Sequence, residues 1–337
     1  MKIVKLTLRI LLVLLIVISV IITLVVGKNK ILSDKVVANE KGYKGVISLW
    51  QIDSFEGGAG SRKQFLLEVC REFELKHEGV LIMVTNQSVE SVEKNYQNGR
   101  TSDLVSFGLG VQIKNANSLE KVNGFSGGKV GKKTYAVPWC RGGYAIISNP
   151  KVANENIQKE DVVVVSQADY TQPLLALACE EITLNNFKVL PPMDAYMEFV
   201  SGKAQHLIGT QRDVVRLNRR GMEVNIKPLT EFNDLYQYIA VTSKDGGKGY
   251  YAEEFIKFLT STPVQKKLNK ICMMSATTTV NFNEEGLNLM QKSSHKKTLS
   301  AFTNIETLKE YQRISKEYFE SGKSGSEIVN KTSLLLI

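Results

Sequence analysis

Histidine is scarce in this 337-residue chain: three occur, His77, His206 and His295, far apart and in unlike surroundings. No HExxH pair and no GxxxxGK[ST] loop is present, so neither a zinc hydrolase nor a phosphate-cradling NTPase can be read. The four cysteines, Cys70, Cys140, Cys179 and Cys272, lack CxxC spacing, which excludes a zinc ribbon or a thioredoxin-like centre. Three disulfide pairings exist on paper, but buried free thiols are the expectation in a chain long enough to build its own core. Glu180 with Glu181, and Glu253 with Glu254, are neighbours on predicted helices and cannot converge on one bond as a general acid and base must. The expectation is a protein that is not an enzyme and uses no cofactor or metal.

A concentrated basic surface is also missing. The formal charge is +9, yet Lys2, Lys5, Arg9, Lys28, Lys30 and Lys35 all flank the first apolar run, with only Asp34 against them. Without residues 1–35 the surplus falls to four, spread along the body with no basic-aromatic block, so nucleic acid is not an expected partner. The one long hydrophobic run is 10–26, interrupted only by Ser19 and Thr23. As a helix it would measure about 26 Å, close to a bilayer core, and its place behind a basic N-terminus predicts a signal anchor. No cysteine follows it to carry a lipid, and Val25 with Gly27, or Val36 with Ala38, leaves cleavage open.

The body, with 43% apolar and 23% charged residues, has the balance of a folded globular protein. GVISLW at 45–50 reads as a buried strand, and 61–77 as an amphipathic helix opened by a Ser61/Gln64 capping box. Strand and helix then alternate through 80–107, which implies a largely parallel sheet. The stretch 127–137 has hairpin character. A second set of strands and helices runs over 144–209, with Gly202 as a left-handed cap and Thr210/Asp213 as a further capping pair. A strand at 236–242, a helix at 250–259 and a last helix near 305–319 complete the body, and 334–337 is too short to span a membrane.

Five stretches, GVISLWQIDSFEGGAGSR, SDLVSFGLG, YAVPWCRGGYAIISN, SGKAQHLIGTQRDVVRL and FIKFLTSTPVQKKLN, occur in this order between about residues 45 and 275. In order and character they resemble bacterial extracellular solute-binding proteins of family 1, the sugar-type substrate-binding components of ABC importers. The resemblance implies an α/β, two-lobed periplasmic-binding-protein-like (class II) fold, a central mixed, mostly parallel sheet in each lobe, and a solute held between them. It implies crossings near 144–148 and 236–242; the N-terminal transmembrane helix read from the apolar run 10–26 precedes the fold. The expected division is 1–35 as anchor and flank, 45–146 plus 240–320 as the first lobe, 147–239 as the second, and 321–337 as a tail. The function implied is capture of a small molecule, most of all a carbohydrate, outside the membrane by a monomer that works with an ABC permease. A membrane-anchored sensory receptor without a transport role is the alternative, ahead of an enzyme acting on a sugar or an anionic solute.

Candidate ligand contacts follow from strand ends, where open α/β sheets bind. Trp50 and Trp139, the only tryptophans, both stand where a strand gives way to a loop, and their faces suit a sugar ring. Each could equally plug a lobe core. Tyr236 and Tyr238 alternate on one predicted strand and so share a face, toward either the cleft or a helix. Arg141 and Arg212 flank glycine-bearing turns, where two guanidinium forks would hold a carboxylate or phosphate, or else form salt bridges. Ser54 and Gln211 are the neutral hydrogen-bonding candidates.

Overall fold

In a computed structural model, residues 42–120, 122, 125–152, 157–292, 296–322 and 327–329 are described. The apolar run 10–26, His295 and the terminal 334–337 lie outside them. Among the described residues no helix is long and apolar enough to cross a membrane.

Among the described residues the strands form two five-stranded sheets and one small hairpin. The first sheet takes β1 (Gly45–Ile52), β2 (Val80–Gln87), β3 (Leu104–Phe107), β6 (Val137–Arg141) and β12 (Tyr236–Val241), in the order β2-β1-β3-β12-β6. The second takes β7 (Tyr144–Ser148), β8 (Val163–Ser166), β9 (Phe187–Leu190), β10 (His206–Thr210) and β11 (Asn225–Pro228), in the order β11-β7-β10-β8-β9. Between β3 and β6, β4 (Lys129–Val130) and β5 (Lys133–Thr134) make the hairpin, turned by Gly131 at φ +58°.

In each sheet four strands run one way and a single strand opposes them: β12 in the first, β7 in the second. The cause is the path of the chain. Strands connected through helices on their own sheet all end at the same edge. β7 and β12 instead begin at that edge, because each follows directly on a crossing from the other sheet. The crossings fall between β6 and β7 and between β11 and β12, so all of β7 belongs to the second sheet and all of β12 to the first. The carboxyl ends of the remaining strands therefore face one another across a gap.

Helices α1 (Arg62–Glu74) and α6 (Gly246–Leu259) cover one face of the first sheet, and α2 (Val89–Gln97) the other. β1 is apolar on both sides because both faces are covered: Ile47 and Leu49 meet Phe65, Val69 and Phe255, while Trp50 and Ile52 join Val92. Short α7 (Thr262–Gln265) follows α6 directly. Helices α3 (Pro173–Cys179), α4 (Pro192–Val200) and α5 (Gln211–Arg219) pack around the second sheet.

The last two helices depart from the sequence-based division. Helix α8 (Glu285–Lys292) packs on α5 and β11, and α9 (Ile305–Glu320) packs on α3. Both thus sit with the second sheet, whereas linear order grouped them with the first. The reason is a third crossing at Met274, which exchanges backbone hydrogen bonds with Arg141 at 2.8 and 3.0 Å. All four cysteines are buried and free, and burial pushes the thiols of Cys70 and Cys140 well up.

Candidate functional site

The gap between the sheets is lined by the loops that follow β1, β8, β9 and β10. On the first-lobe side the loop after β1 is held from behind by Arg62, the first residue of α1. Its Nε pairs with Asp53 at 2.6 Å, its guanidinium lies 4.4 Å over the Phe55 ring, and it donates to the Phe55 carbonyl and to Gln237 Oε1. Gln237 in turn donates to Ile52 O at 2.9 Å and to Ser106 Oγ at 3.1 Å. The loop must also pass close to the backbone before α8: a side chain at Gly58 would put its Cβ 2.0 Å from Ile271 O. This arrangement turns Phe55 and Glu56 toward the second lobe.

On the opposite side Thr210 caps α5. Its Oγ1 accepts from Arg212 N at 3.3 Å, while Asp213 Oδ2 accepts from Thr210 N at 2.9 Å, the reciprocal box predicted from the sequence. Burial pushes the Asp213 carboxyl up to about 6 despite that bond and the nearby Arg216. Arg212, on the first turn, reaches across the gap and pairs with Glu56 Oε1 at 2.9 Å; each side chain keeps 31% of its surface exposed.

The crossings are bolted together beneath this pair. Gly142 N donates to Leu235 O at 2.6 Å, and Gly143 N to Gln211 Oε1 at 3.1 Å. A Cβ at Gly142 would lie 2.6 Å from Gln211 Oε1 and would push that side chain from its bond to Gly143 N. Asp234, on the second crossing, accepts from the Tyr144 hydroxyl at 2.7 Å and from Gln172 N at 3.0 Å. Complete burial raises its carboxyl to about 7.

Between the lobes a cavity of about 10 Å³ is bounded by Phe55, Glu56, Ser166, Ala168, Thr171, Pro192, Thr210 and Leu235. That is room for about one water, against the several hundred Å³ of an ordinary small-molecule site. At this cavity the lobes leave no room for a solute, which would enter it only if they parted. Larger hollows of about 520 and 430 Å³ lie on the second lobe away from this gap, one beside Asp161 and Lys203, the other beside Asn218 and Glu285.

The eight candidates from the sequence do not share one hollow. Arg212 and Gln211 stand at the gap, and Ser54 is buried at its edge, where a Cβ at Gly108 would meet its Oγ. Arg141 is buried at the crossings, where its guanidinium donates to the carbonyls of Gly142, Ser275, Met290 and Gln291. Burial lowers its pKa, and the anion clamp of two arginines is not assembled. Trp139 is 0% exposed inside the first lobe, stacked on Phe65 with ring centres 5.7 Å apart, and its Nε1 donates to Ser106 Oγ at 2.9 Å. Trp50, at 8% exposure, packs against Tyr96 on the other face of the sheet, with Tyr236 and Tyr238 in the same apolar cluster.

Glu56, Ser166, Thr171 and Thr210 escaped sequence reasoning. Glu56 had a signal, as a charge in the glycine-rich loop QIDSFEGGAG that follows a strand. Thr210 had one in its predicted capping pair with Asp213 at a strand end, whereas Thr171 and Ser166 had none.

Two serine arrangements bear on the expectation of no enzyme. His206 lies between Ser148 Oγ, 2.8 Å from its Nδ1, and Asp161 Oδ2, 3.0 Å from its Nε2. Ser148 is 2% exposed, so no substrate can reach it in this conformation. GFSGG at 124–128 has GxSxG spacing, which sequence reading passed over. Its serine opens a 3₁₀ turn before two-residue β4, whereas a nucleophile elbow joins strand to helix.

No family model matches this sequence, and no curated protein matches it. Solved structures do. A cyclic α-maltosyl-1,6-maltose binding protein from Arthrobacter globiformis aligns with a TM-score of 0.62 at 10% identity, over 86% of this chain and 97% of the other. The maltose-maltodextrin binding protein of Alicyclobacillus acidocaldarius aligns with a TM-score of 0.58 at 13% identity, over 86% and 99%. The galacto-N-biose/lacto-N-biose I-binding protein of the ABC transporter from Bifidobacterium longum gives 0.57 at 11%, over 86% and 95%. At these identities the likeness establishes the fold: two lobes of the class II periplasmic-binding type, over nearly the whole length of the proteins compared.

Proposed function

We propose that this chain is a carbohydrate-binding receptor that closes its two lobes on a sugar outside the membrane and delivers it to an ABC importer. The observation that carries the proposal is the paired architecture. Two sheets present their strand ends to one gap, joined by three adjacent crossings about which the lobes can swing. The proteins of similar fold named above are sugar-binding by their descriptions, and one is named as part of an ABC transporter. In this reading the apolar run 10–26 tethers the domain to the membrane with the lobes on the outer side.

A thermal-shift screen of the full chain in detergent, over neutral mono- to tetrasaccharides, amino acids and inorganic anions, tests the proposal. A sugar at one hundred times its Kd adds about 2.7 kcal/mol and should raise the unfolding midpoint measurably. A rise with amino acids or anions and none with any sugar would overturn it.

A further inference from the structure

We infer that Glu56 and Arg212 form a charge-balanced gate that selects solutes without net charge; this deepens the carbohydrate reading above and rests on it. The pair spans the gap at 2.9 Å, one partner from each lobe, and Glu56 also bounds the cavity. Both residues are about one-third exposed, so opening the pair returns two charges to water and is easily done. Shutting the lobes on a solute is different, because water leaves and each charge then needs a partner on the solute.

Glu56 is the charged residue among those bounding the cavity, and three charges near it are committed. Asp53 is held by Arg62 at 2.6 Å, Arg141 is surrounded by carbonyls, and Asp213 is buried in its capping box. A solute between Glu56 and Arg212 therefore meets one carboxylate and one guanidinium. Sugar hydroxyls satisfy both, donating to Glu56 oxygens and accepting from Arg212 N–H groups. A uronate or sugar phosphate would gain Arg212 but face Glu56 as a like charge, and an amino sugar would meet the reverse. The gate accepts neutral polyols and disfavours both signs of net charge.

The test is calorimetric titration of the full chain with a neutral sugar taken from the screen, its uronate and its amino-sugar counterpart. The wild type should bind the neutral sugar at least about tenfold more tightly than either charged form. Glu56→Gln should narrow the gap for the uronate alone, and Arg212→Gln the gap for the amino sugar alone. Circular dichroism and the melting midpoint check that each variant is folded; if Arg212→Gln is not, Arg212→Lys keeps the charge and should retain the wild-type order. Wild-type binding of a uronate as tight as that of the neutral sugar would overturn the gate and leave the carbohydrate reading standing. Absence of binding by sugars of every charge would overturn the carbohydrate reading, and the gate with it.

Discussion

Replacing Trp139 by alanine is expected to lower the unfolding free energy by about 3–5 kcal/mol, the range for deleting a fully buried large aromatic side chain. The indole is wholly enclosed between the first sheet and α1, stacked on Phe65, and it donates to Ser106 Oγ. Alanine removes the packing and one of the two donors to Ser106 Oγ, leaving that of Gln237, whose bond to Ser106 helps fix the loop after β1. Trp139→Phe should lose less, since it keeps an aromatic ring against Phe65 and gives up the indole N–H and the volume of the second ring. Chemical denaturation of both variants measures this. A loss under about 1 kcal/mol for the alanine variant, with sugar binding abolished, would instead make the ring a ligand platform.

The second large effect concerns pH. Asp234 is completely buried and its carboxyl rises to about 7, above the ordinary unfolded value near 4. Between those two values the native state holds a proton that the unfolded chain has released, so stability falls as pH rises. The slope approaches about 1.4 kcal/mol per pH unit for this group, or roughly 4 kcal/mol across the window. Asp213, raised to about 6, contributes with the same sign over a narrower range. Asp234→Asn keeps an acceptor for Gln172 N and a donor for the Tyr144 oxygen without a charge to bury. Its stability should therefore change much less than the wild type's between pH 5 and pH 8. Equal falls in the two proteins, followed by denaturant unfolding at both pH values, would contradict the assignment.

Much of the fold was legible because the signals were local. The apolar run of β1, the Ser61 cap of α1 and the Thr210/Asp213 box depend on residues within a few positions of one another. The allegiance of α8 and α9 was not, because it is decided by the third crossing at Met274, more than 130 positions from its partner Arg141. Site residues were harder for a related reason. Alternation along a strand assigns Tyr236 and Tyr238 to a common face but leaves open what covers it; here it is the cluster around Trp50 and Phe107. Arg141 reads as a charge at a strand end, and the carbonyls that occupy it come from residues far along the chain. Arg212 was named from the sequence and Glu56 was not, and nothing linear pairs a loop in one lobe with a helix start in the other.

The central claim is that a sugar is held between the lobes and touches both. Hydrogen exchange of the full chain, with and without a saturating neutral sugar, tests it most directly. The account predicts slowed exchange in the 53–61 loop of the first lobe and, together with it, around Ser166–Thr171 and Thr210–Arg212 of the second. Protection confined to one lobe, or centred on the outlying hollow beside Asp161 and Lys203, would contradict it.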